Sequence, residues 1–179
     1  MGKKTMKKPS KPQTDYSKDR TLDKIDLSIL DNLQKNSRIS NVDLAKLVNL
    51  SASPCLDRVR RLESEGYIEK YGAKLNASKL KFGLTAYLEL SLDKSTSELF
   101  ASFAIEVQKI RQIAECDMVA GGFDYLLKIR ISDMAEYRAV LNEIVDIKGV
   151  AQNRTYIVIE KIKVDQGLPL VRISKSSNY

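Results

Sequence analysis

Apolar residues follow two different rhythms along this chain. From 23 to 66 they recur every three or four positions, the spacing that gathers them on one side of an α-helix. In 23–35, Ile25, Ile29, Leu30 and Leu33 share such a face, with Asp23 and Asp26 at the end that favours negative charge. Residues 36–40 break the pattern. It resumes over 41–48 with Val42, Leu44, Ala45 and Val48, where Ser40 and Asp43 resemble a capping box. Asn49 ends that helix in a position that favours a left-handed backbone. A third helix follows, capped by Ser51 or Ser53, with Pro54 in its first turn. The restriction on residues before proline favours Ser53. Cys55, Leu56, Val59 and Leu62 form the apolar face of this helix, Ser53, Asp57, Arg60 and Arg61 the polar one, Arg58 stands at the edge, and Gly66 ends it. Residues 67–75 alternate well enough for one or two short strands. Three short helices followed by strands read as a helix-turn-helix with a wing.

After a connector at 76–83 the rhythm changes. Strand patterns at 85–92, 113–120, 123–131 and 150–164 alternate with helical ones at 98–110 and 134–146. The order is β-α-β-β-α-β, the ferredoxin-like unit. Leu99, Phe103, Val107 and Ile110 predict the buried face of the first of these helices; Tyr137, Val140, Leu141, Ile144 and Val145 predict that of the second. The fold class is α+β, in two domains at 22–73 and 84–164, with a linker at 74–83 and tails at 1–21 and 165–179.

Composition narrows the chemistry. The chain has no histidine and two cysteines, Cys55 and Cys116. Histidine bases, histidine metal ligands and serine–histidine triads are excluded, and a cysteine zinc site is disfavoured. Enzyme chemistry and a metal cofactor are therefore not expected. No apolar run approaches membrane-spanning length, and the N-terminus lacks the apolar stretch of a secretory signal, so a cytoplasmic location is expected. The net charge is +7, and residues 1–20 hold seven Lys/Arg against two Asp. Such a tail either attracts nucleic-acid phosphates or only adds solubility. Residues 22–73 balance eight basic against eight acidic side chains.

The runs L22-D-K-I-D26, L33-Q-K-N-S-R-I-S-N-V-D-L-A-K46, P54-C-L-D-R-V-R-R-L-E63, F123-D-Y-L-L-K128 and R154-T-Y156 resemble the Lrp/AsnC (feast/famine) family of transcriptional regulators, over about residues 20–165. The resemblance implies a winged helix-turn-helix that binds double-stranded DNA and a RAM/ACT-like ferredoxin domain that senses an amino acid, leucine or another apolar one. It also implies dimers assembling into octamers or larger rings, in a bacterial cytoplasm and on the nucleoid. The third helix would then read DNA chiefly through Ser53, Arg58 and Arg61, with Ser51 and Pro54 beside them, Arg60 as a flank contact and Arg38 on a backbone phosphate. Against this, surface arginines commonly pair with local carboxylates, here Asp57, Glu63 and Glu65.

The effector would meet the turn at Gly121, Gly122 and Asp124, together with Met118, Met134, Tyr156, Ile157 and Val158. Asp124 either pairs with the ammonium group or holds the turn. Relatives often carry aspartate where this chain has Gly122, which sustains a second reading: an architectural DNA-organising protein with little effector control.

Overall fold

A computed structural model describes residues 21–170. The basic segment 1–20, with its expected phosphate attraction, lies outside the described residues, as do 171–179. The chain divides into two compact units. One ends at Gly72 and resumes at Gln166; the other is Ala73–Asp165.

The first unit holds α1 (Lys24–Lys35), α2 (Asn41–Leu47) and α3 (Ala52–Ser64). Asp23 caps α1 by accepting from the Asp26 amide at 2.8 Å, while Asp26 accepts from the Asp23 amide at 3.2 Å. This is a reciprocal capping box built from two aspartates. Ser40 caps α2 through the Asp43 amide. Asn49 has φ 55° and closes α2 with two reversed bonds, Leu50 N–H to the Ala45 carbonyl and Asn49 N–H to that of Lys46. Gly66, at φ 80°, ends α3 in the same way, with Tyr67 N–H bonding to the Leu62 carbonyl. The core joins Ile29, Leu44, Ala45, Val48, Cys55 and Leu62.

Two expectations change here. Ser51, not Ser53, is the N-cap of α3, and its side chain makes no capping bond. Pro54 is the third helical residue, where its missing N–H still costs nothing. Residues 67–75 form no strand. Alternation alone cannot make a ladder, and this segment has no partner strand among the described residues. Tyr67 and Ile68 pack on the helical core, and the Tyr71 hydroxyl donates to Glu63 of α3 at 2.8 Å.

The second unit runs β1 (Leu84–Leu92), α4 (Ser97–Val107), β2 (Ile113–Met118), β3 (Tyr125–Ile131), α5 (Met134–Val145) and β4 (Val150–Ile157). The four strands form one antiparallel sheet in the order β2-β3-β1-β4. Ala86, Leu88, Leu90 and Leu92 of β1 point to one face, where Phe103, Val107, Val140 and Ile144 cover them. The opposite face carries Tyr87, Glu89, Leu126, Lys128, Arg154 and Tyr156. The last strand stops at Ile157, short of the expected 164. β1 begins at Leu84, so pairing runs out beyond Val158, whose amide takes the Thr85 carbonyl.

Candidate nucleic-acid interface and ligand-binding region

α3 is divided by burial. Cys55 and Leu62 are fully buried, while Leu56 and Val59 are half-buried. Burial pushes the Cys55 thiol up, so it packs as a small apolar group and is not a nucleophile. Ser51, Ser53, Pro54, Asp57 and Arg60 are exposed. They lie along the first two and a half turns of the helix, where short polar groups and a long cation can reach base edges and phosphates. The Arg60 guanidinium makes no ion pair among the described residues. Neither does that of Arg38, which is exposed just before α2. Asn41, at the start of α2, donates to the Ala52 carbonyl at the start of α3 at 2.8 Å. That bond sets the two helix N-termini side by side.

Arg58 and Arg61 are placed differently from the sequence expectation, which gave them to DNA or to local carboxylates. Arg58 Nη1 donates to Asp23 Oδ2 at 2.6 Å and to Asp26 Oδ1 at 2.8 Å. Arg61 Nη2 lies 2.6 Å from Asp26 Oδ2. Arg61 Nε approaches Glu65 only to 3.9 Å, a charge contact and not a hydrogen bond. Asp26 is 2% exposed, so its carboxylate is compensated almost wholly by these two arginines. Burial alone would raise the Asp23 carboxyl, but the Asp26 amide and the Arg58 guanidinium hold it below the usual range. The arginines thus bind α3 to the start of α1. The sequence held a signal for this: Asp26 falls three residues before Ile29 and four before Leu30, on the buried side of α1. A carboxylate on that side needs a cationic partner.

The candidate effector residues fall into two groups at opposite ends of the sheet. Met118, Gly121, Gly122 and Asp124 lie beside Leu90 and Leu92 of β1. Tyr156, Ile157 and Val158 pair with the other end of β1, at Thr85–Tyr87, and Met134 follows the end of β3 that meets Leu84. From Leu90 to Ala86 is four strand steps, about 13 Å. One copy of the chain does not bring the groups together. Met118, Met134, Tyr156 and Ile157 are exposed.

Asp124 holds the turn. Its Oδ2 accepts the Leu92 amide at 2.8 Å and its own amide donates to the Leu90 carbonyl at 3.0 Å. A Cβ added at Gly121 or Gly122 would meet no atom within 4 Å. Gly122 lines a shallow cavity of about 130 Å³ with Glu89, Ser91, Phe123 and Arg154. A larger cavity of about 440 Å³ lies between α4 and β2, lined by Phe100, Ala104, Val107, Ile113, Met118 and Tyr125. The Cys116 thiol beside it is pushed up to about 11 by burial and by Asp117. Among the described residues no acidic or cysteine cluster fits a metal ion, and no helix is long and apolar enough to cross a membrane.

Comparison with known proteins agrees with this architecture. Residues 22–69 match the winged helix-turn-helix DNA-binding model, and residues 85–168 match the Lrp/AsnC ligand binding domain. The leucine-responsive regulatory proteins of Escherichia coli K12 and Salmonella typhimurium are each 48% identical over 143 residues, 79% of this chain and 87% of theirs. A transcriptional regulator of Neisseria meningitidis, solved with L-methionine, superposes with a TM-score of 0.81 at 35% identity, covering 86% of this chain and 99% of its own. A feast or famine regulatory protein of M. tuberculosis, also solved with L-methionine, gives 0.76 at 26% identity, covering 83% and 99%. These relatives are regulators and not enzymes. On these matches, carried by both domains, the chain belongs to the Lrp/AsnC family of DNA-binding transcriptional regulators.

Proposed function

We propose that this protein regulates transcription in response to an apolar amino acid, reading DNA with the exposed face of α3. Ser51, Ser53, Pro54 and Arg60 meet the major groove, and Arg38 takes a flanking phosphate. Arg58 and Arg61 support this reading indirectly, by fixing the helix that presents Arg60. The observation that carries the assignment is the division of α3, with two arginines tied to buried or capping carboxylates and a third left unpaired and exposed.

The effector is leucine or methionine. Relatives named for their response to leucine, and neighbours solved with methionine, support that class. The split of the candidate ligand residues between two sheet ends supports a site assembled from neighbouring copies. The turn at Gly121, Gly122 and Asp124 of one copy then meets Met134, Tyr156, Ile157 and Val158 of another, with Met118 on the apolar side. The helix-free face of the sheet supplies a surface for pairing copies into dimers and larger rings. Effector binding at those contacts shifts assembly, and with it the set of DNA sites engaged together. The protein acts in the cytoplasm, on the nucleoid.

Light scattering and calorimetry with leucine and methionine test this reading. Heat of binding together with a change in assembly size is expected. DNA binding without either supports the architectural reading, which is motivated by Gly122 standing where the family resemblance implies an aspartate.

A further inference from the structure

The chain leaves the helical unit at Gly72, builds the sheet unit, and returns at Gln166. The return has a built contact. The Gln34 side-chain amide, in the last turn of α1, donates from Nε2 to the Leu168 carbonyl at 3.0 Å. Its Oε1 accepts the Leu168 amide at 2.7 Å. One side-chain amide therefore satisfies both backbone groups of one residue, as a neighbouring strand would. Gly167 is fitted to the same spot. Its φ is +90°, and a Cβ there would lie 2.2 Å from Gln34 Cδ. Both the backbone conformation and the close approach call for glycine.

We propose that the C-terminal end of α1, around Gln34, is a docking surface for the chain's own Gly167–Leu168 segment. Residues 166–170, which belong to the helical unit, are a strap that fastens the chain to α1 once it has left the sheet unit at Asp165. The strap grips one end of α1, and the other end of that helix, at Asp23 and Asp26, holds Arg58 and Arg61 of α3. A displacement of the chain after β4 therefore reaches the DNA-reading helix along α1. Coupling of the effector to DNA affinity through the strap rests on the proposed function; the docking itself does not.

The experiment uses the full chain and three variants: Gln34→Ala, Gly167→Ala, and both together. Gln34 is exposed and alanine suits a helix, so the domain stays folded. Hydrogen exchange at the Leu168 amide should quicken by about tenfold or more in either single variant. The double variant should add nothing further, since both changes break one contact. Unchanged exchange in Gln34→Ala, or additive effects, overturns the docking. Wild-type protection of the Leu168 amide that is lost on dilution assigns the segment to a second copy and overturns an intrachain strap.

DNA affinity is then measured with and without leucine and methionine. The ratio should fall towards one in both single variants, while affinity without effector holds within about twofold. An unchanged ratio overturns the coupling. A wild-type chain without any amino-acid response overturns the coupling together with the proposed function, and the exchange data then judge the docking alone.

Discussion

Replacing Asp26 with alanine is the most direct perturbation of the ion-pair cluster. The substitution removes a carboxylate that is 2% exposed and accepts from Arg58 at 2.8 Å, from Arg61 at 2.6 Å and from the Asp23 amide at 3.2 Å. Breaking a fully buried pair by removing one partner costs about 3–5 kcal/mol. Here the cost is smaller, because the arginines can recover water: their side chains are 28% and 32% exposed. Arg58 also keeps Asp23 at 2.6 Å, whereas Arg61 keeps only Glu65 at 3.9 Å. Half of the capping box is lost as well, about 0.5 kcal/mol. The expected destabilisation is about 2–3 kcal/mol, confined to the helical unit. Urea unfolding followed by far-ultraviolet circular dichroism measures it, with the sheet unit's transition as internal reference. Asp26→Asn keeps the volume and should cost less than alanine. A loss below about 1 kcal/mol for alanine would refute the view that this carboxylate anchors α3.

The other expectations are smaller in scope. Asn49→Ala places a Cβ-bearing residue without a helpful side chain at φ 55° and should cost about 1 kcal/mol, read from the same urea midpoint. Stability should be flat from pH 8 to 5 and fall below about 4. Asp43 is held below the usual range by Ser40 and Lys46, and Asp133 by the Glu136 and Ala135 amides, so both contribute when charged and lose that contribution as acid protonates them. With no histidine in the chain, a midpoint that moves between pH 6 and 7 would contradict this. Cys116, pushed up to about 11, should react with a thiol reagent far more slowly at pH 8 than a free cysteine; rapid labelling of the native protein would show that its surroundings are misjudged.

Much of this was legible in the sequence, and the exceptions share a cause. Helical periodicity gave the buried faces of α3, α4 and α5, because an apolar stripe has only one way to face a core; Val145, expected on the buried face of α5, is instead 38% exposed at the stripe's margin. Asn49 was legible because few residues accept a left-handed backbone. The missed features all depend on residues far apart in sequence. Arg58 finds Asp23 and Asp26 across 35 and 32 positions, while local spacing suggested Asp57, Glu63 and Glu65. The wing at 67–75 and the end of β4 alternate properly, yet a strand exists only where a partner supplies the ladder. Ile159 and Ile162 stay exposed for that reason. The effector residues matched a family pattern as one set, but the sheet register puts Gly122 and Tyr156 at opposite ends. The strap could not be anticipated either, since a glutamine in the last turn of a helix gives no hint of its partner 134 positions away.

On this reading α3 uses different arginines for anchoring and for reading, and the DNA affinity of Arg60→Ala, measured as a function of salt beside its unfolding midpoint, separates the two roles. Binding weaker by about tenfold, a salt slope reduced by about one, and an unfolding midpoint equal to wild type are expected. Wild-type affinity and slope in Arg60→Ala, with the loss appearing instead in an Arg58→Ala variant of unchanged stability, would contradict this division.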